Sequence, residues 1–132
     1  MEFFAEVNPG LDKASLKALA TIARLPELCS SISSLITDEK TRGMIYCTWG
    51  EFGVNREEIR DGVRFTLPNC PNALAWTLTT NDAADKIVIH CTIDKYEHDE
   101  DFVESIEQFV NDWSAGISTV LQKKTRFRQT GT

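Results

Sequence analysis

The chain has 132 residues, 42% of them hydrophobic and 26% charged, with a net charge of −6 and an isoelectric point near 4.9. These values suit one globular domain and exclude a disordered or fibrous chain. The negative charge argues against nucleic acid and anionic membrane as partners, since both attract a positive field.

Residues 1–10 read as a lead-in that closes on the turn signal Asn8-Pro9-Gly10. With no basic region and no long apolar run near Met1, no signal peptide is expected. A stretch over 13–36 predicts one or two helices. Asp12 is placed to cap the first, and Leu16, Leu19, Ala20 and Ala23 recur at helical spacing over 13–24. Pro26 then either opens a second helix, faced by Leu28, Ile32, Leu35 and Ile36, or kinks a single longer one. The serines at 30, 31, 33 and 34 are mediocre helix formers, so packing would have to hold that segment.

An antiparallel sheet of four or five strands is expected over 44–94. Met44 to Phe52 reads as one strand, rich in aromatic and β-branched residues. Residues 54–60 fit either a short helix capped by Asn55 or the first arm of a hairpin. The hairpin is favoured, with a three-residue loop Arg60-Asp61-Gly62 that sets Ile59 opposite Val63 and Gly62 in the left-handed region. The charges over 56–60 suit an exposed edge strand. Val63, Phe65 and Leu67 alternate with polar residues, as do Leu74, Trp76 and Leu78, and then Ile87, Ile89, Cys91 and Ile93. The prolines of Pro68-Asn69-Cys70-Pro71 force a loop between the first two of these strands. Short links make the strands a meander.

The strongest signal is the last third of the chain. Phe102, Ile106, Phe109, Val110, Trp113, Ile117, Val120 and Leu121 fall on one stripe of a helix over 100–122. Asp99, Glu100 and Asp101 stand at its start, and Lys123, Lys124, Arg126 and Arg128 at or beyond its end, as the helix dipole favours. Gly116 inside it implies a close approach. Residues 125–132 are expected as a flexible basic tail. The sum is a two-layer α+β domain spanning 1–132, with the long C-terminal helix laid across the sheet.

Four cysteines, Cys29, Cys47, Cys70 and Cys91, lie far apart with no CxxC pair. Free thiols in a reducing cytoplasm are the expectation. Cys70, in its proline-bounded loop, is a candidate nucleophile if His90 stands beside it as base. Trp49, Trp76 and Trp113 either share an aromatic core or line a pocket for an apolar ligand between helix and sheet. Asp94, Glu97, His98, Asp99, Glu100 and Asp101 are acidic enough to suggest a cation. They lack the glycine and alternation of a calcium loop, however, so no metal site is expected. Adjacent Glu57 and Glu58 on a strand point to opposite faces and cannot act on one substrate atom. No phosphate loop, nucleophile elbow or zinc-protease motif is present, and no cofactor is expected.

The reading that fits best is a non-catalytic, acidic protein-binding or adaptor module, chaperone-like in kind, with a protein partner or a second copy. The alternative is a binder of a small apolar ligand. A thiol enzyme using Cys70 is third.

Overall fold

The computed structural model describes residues 1–94 and 99–130, with residues 124–130 as backbone alone. Strands β1 (Glu2–Val7), β2 (Ile32–Asp38), β3 (Arg42–Cys47), β4 (Gly50–Ile59), β5 (Gly62–Thr66), β6 (Ala75–Thr80) and β7 (Ile87–Thr92) form one antiparallel sheet. Its order is β1-β7-β6-β5-β4-β3-β2. Strands β3 to β7 fall in the expected meander, β2 extends it by pairing with β3, and β1 returns to the far edge by pairing with β7. Helices α1 (Lys13–Leu19), α2 (Leu25–Leu28) and α3 (Glu100–Thr130) pack against the sheet. α1 lies on β5 and β6, α2 joins β2 to α3, and α3 lies along β1 and β7.

The α+β class and the helix-on-sheet architecture match the sequence reading, but the sheet has seven strands rather than four or five. The two additional strands come from segments read otherwise. The lead-in is a strand: Phe3, Ala5 and Val7 alternate with Glu2, Phe4 and Glu6, a period of two that the adjacent Phe3-Phe4 pair obscures. The predicted second helix ends at Leu28, and Ile32–Asp38 is strand. Two register shifts, between Ile32 and Ser34 and between Leu35 and Thr37, explain the mistaken period. Each bulge inserts one residue, so Ile32 and Leu35 both meet inward-facing partners although they are three apart. A doubly bulged strand thus imitates helical spacing.

Other boundaries move for local reasons. The expected strand over Met44–Phe52 is two strands, reversed at Thr48-Trp49, where Gly50 takes a φ of +116° that side chains disfavour. The 54–60 segment is strand, but Ile59 pairs with Gly62 and Glu58 with Val63, so the loop is Arg60-Asp61. Gly62 is required for a different reason from the one expected: a Cβ there would overlap the Leu78 carbonyl oxygen of β6. β4 lies between β3 and β5 rather than at an edge. The first predicted helix stops at Leu19 and is followed by a 3-10 turn, Ile22–Arg24. α3 runs on to Thr130, past the expected stop at 122, with no proline or glycine between Gly116 and Thr130 to end it. The expected flexible tail is therefore helical backbone as far as Thr130, and residues 131–132 lie outside the described residues. Asp12 caps α1 as expected, accepting from the Ser15 N–H at 3.2 Å.

The core lies between sheet and helices. Phe109 of α3 is in ring contact with all three tryptophans, at 5.1 Å from Trp49, 4.9 Å from Trp76 and 6.5 Å from Trp113. Phe65 of β5 stacks on Trp76 at 5.3 Å and touches Trp113 at 6.0 Å. Gly116 lets α3 press on α2, since a Cβ there would overlap the Leu28 carbonyl oxygen.

Three substitutions test this account by urea unfolding. Phe109→Ala should cost about 3–5 kcal/mol, as large-to-small changes in filled cores do, whereas exposed Glu107→Ala should stay within about 0.5 kcal/mol. Gly116→Ala, normally stabilising in a helix by about 1 kcal/mol, should destabilise here. A gain in midpoint would show that α2 and α3 are not in backbone contact.

Candidate interaction face and the positions of the predicted site residues

Paired residues on neighbouring strands share a face, so the register sorts the sheet into two sides. The inner side carries Phe3 and Val7, Ile87, Ile89 and Cys91, Trp76 and Leu78, Val63 and Phe65, Val54, Ile45 and Cys47, all buried. On the outer side one row runs Phe4, His90, Thr77, Arg64, Glu57 across β1, β7, β6, β5 and β4. Tyr46, opposite Glu51, lies on the same side. Phe4 is 61% and Tyr46 53% exposed. The residues between them are mainly threonines and charged groups.

The two members of the proposed catalytic pair sit in different settings. His90 stands on the outer face, stacked on Phe4 with ring centroids 4.4 Å apart and Nε2 2.9 Å from Glu2 Oε1. Cys70 is half-buried and packs at the edge of the core. It borders a recess of about 240 Å³ with Arg64, Thr66, Pro68, Ala73 and Ala75. Among the described residues, no hydrogen bond or ion pair joins Cys70 to His90.

The other thiols are held as thiols. Burial pushes Cys29 and Cys91 up to about 12, from an ordinary 9.0, and pushes Cys47 up as well. Cys29 Sγ donates to the Phe109 carbonyl at 3.7 Å, and Cys47 Sγ to the Gly50 carbonyl at 3.3 Å. All four cysteines are free.

The tryptophans meet through Phe109, as described. Trp49 Nε1 donates to Ser105 Oγ at 2.8 Å, tying the β3–β4 turn to α3. The buried Nε1 atoms of Trp76 and Trp113 have no hydrogen-bond partner among the described residues. The edge-to-face contact of Trp76 with Phe109, at 81°, sets a ring edge against an aromatic face. Of the acidic cluster, Asp99, Glu100 and Asp101 border an open cleft of about 550 Å³ with Phe102, and Glu97 and His98 lie outside the described residues. Among the described residues, no three histidine, cysteine, aspartate or glutamate side chains stand close enough to share a metal ion. Glu57 pairs with Arg64 and Glu58 with Val63, on opposite faces.

Arg56 was missed by the sequence reading. It points inward from β4, and its guanidinium donates to the carbonyls of Lys17 at 2.8 Å and Ala20 at 2.7 Å. Those carbonyls lie at the C-terminal end of α1, where the last turn has none of its own donors left. The available signal was a cation at an inward position two residues after Val54. It borders a cleft of about 530 Å³ with Lys17, Thr21, Asp38, Lys40 and Glu58.

In outline this is an antiparallel sheet domain with helices on its inner face and, among the described residues, none on its outer face. Its fold is similar to that of the protein XoxI from Bacillus cereus, with a TM-score of 0.66 and 11% identity over 90% of this chain and 94% of that one. It is also similar to DR_A0006 from Deinococcus radiodurans, with a TM-score of 0.57 and 14% identity over 100% and 99%. At these identities the likeness is one of fold. Both are structural-genomics targets whose names state no activity. No family model and no curated protein matches the chain. No helix among the described residues is long and apolar enough to cross a membrane.

The thiols give a pH prediction. Cys29 and Cys91 keep their protons in the folded chain up to about 12 but lose them near 9 once unfolded. The folded state therefore holds more protons between those values, and stability should be full below pH 9 and fall as pH rises toward 12. Urea midpoints at pH 8, 9 and 10.5 measure this, and Cys91→Ala should flatten the decline. In native protein at pH 8, iodoacetamide should label half-exposed Cys70 before Cys29 or Cys91. Equal labelling of all three would contradict their burial.

Proposed function

We propose that this chain is a non-catalytic protein-binding module that meets its partner through the outer face of the sheet. The observation that carries the reading is the exposure of Phe4 and Tyr46 on that face, which is free of helices. Exposed aromatic groups set among polar ones are the usual anchors of such surfaces. The stacking of His90 on Phe4, with its Nε2 against Glu2, supports a place for it on the binding face over service as a base to Cys70. Ring contact among the three tryptophans through Phe109 supports their role as core over that of a ligand lining. Four free cysteines suit a reducing compartment such as the cytoplasm.

Site-specific photo-crosslinking tests the reading. A benzophenone side chain at Thr77, in the middle of the outer face, should capture protein in cells of the source organism. The same group at Glu107, exposed on α3, should not. Phe4→Ser with Tyr46→Ser should abolish capture while leaving the urea midpoint within about 0.5 kcal/mol, as exposed substitutions do. Equal capture from both positions, or capture indifferent to the double substitution, would end the proposal.

A further inference from the structure

The sheet has two unlike edges. β2 carries two bulges, a device that blunts an edge against further pairing. β1 is regular over six residues. Met1 and Ile93 exchange both N–H···O bonds, at 3.0 and 3.1 Å. Exchanging pairs alternate along an antiparallel ladder. Phe3, Ala5 and Val7 therefore commit their backbone groups to β7, and Glu2, Phe4 and Glu6 turn theirs to the open edge. The Glu6 carbonyl accepts from Ser114 Oγ at 2.9 Å. Among the described residues, no other group bonds to this outward row.

The same three residues hold exposed side chains on the outer face. Glu2 and Glu6 flank Phe4, and the groups they meet, the His90 imidazole at 2.9 Å and the Lys86 ammonium at 3.4 Å, come from β7 or just before it. A second copy is a poor match for this edge. β1 against β1 about a twofold at Phe4 would set Glu2 opposite Glu6 at both ends, and like charges directly opposite destabilise a pair. The net charge of −6 adds to that repulsion.

We infer that the β1 edge receives an extended peptide of the pattern basic–x–apolar–x–basic by strand addition, with its apolar side chain beside Phe4 and its two cations over Glu2 and Glu6. This rests on the protein-binding reading and names the edge and the partner's chemistry. Main-chain bonds to Glu2, Phe4 and the Glu6 N–H supply affinity, the Glu6 carbonyl being held by Ser114, and alternate side chains supply selectivity.

The test is fluorescence anisotropy with the full chain and two labelled peptides, one containing Lys-Thr-Val-Thr-Lys and one Glu-Thr-Val-Thr-Glu. The lysine peptide should bind at least tenfold more tightly. Phe4→Pro should weaken it at least tenfold, because it removes an outward N–H and leaves the ladder to β7 intact. Glu2→Lys with Glu6→Lys should reverse the preference, and this arm decides if Phe4→Pro melts early. Equal binding of the two peptides, or a preference unchanged by the charge reversal, overturns the inference. Capture from Thr77 in the unsubstituted chain, without any peptide preference, would sink the edge and spare the outer face. Peptide preference without capture from Thr77 would do the opposite.

Discussion

The insertion of Phe109 among Trp49, Trp76 and Trp113 is the contact on which the rest of the molecule depends. One residue of α3 touches aromatic side chains from the β3–β4 turn, from β6 and from its own helix. Its carbonyl also receives the Cys29 thiol from just beyond α2. The sheet and the segment that ends α2 therefore converge on one turn of α3. An isolated two-stranded hairpin is marginal in water, and α1 and α2 are too short to stand alone. The long apolar stripe gives the sheet and α2 a surface to bury against, and the sheet in turn gives one to α1.

That arrangement divides the sheet chemically. Every large apolar side chain of the inner face is occupied by packing, and the one cation there, Arg56, is fixed to the end of α1 through two main-chain carbonyls. The outer face has no such duty. Threonines, Arg64 and the paired Phe4 and His90 are held in place by the ladder beneath them, not by neighbours above.

Much of this was legible in the sequence, and the failures have physical causes. The stripe of α3 was plain because eight large apolar residues kept one period without interruption. β5, β6 and β7 were plain because each buries one face only. β2 was hidden because its bulges converted a period of two into spacings of three, which a helix shares. β1 was hidden by Phe4, an aromatic residue on the polar side of the alternation. Its exposure is the very feature that makes the outer face a candidate for binding. The Cys70 and His90 pairing could not be judged, because register decides which face a strand residue occupies and no spacing rule supplies it. Arg56 was legible only in hindsight, since an inward charge needs its partners on the page before it makes sense.

The pairing of β1 with β7 joins Glu2 to Thr92, and this has a consequence for biosynthesis. The first strand leaves the ribosome long before its only ladder partner has been made. At translation speeds of about 5–20 residues per second, the wait is on the order of ten seconds. Throughout that interval both sides of the nascent segment are unsatisfied, and Phe3 and Phe4 are bare. The alternating glutamates of this segment then act as guards against premature association, a task that precedes any role they have in the finished molecule.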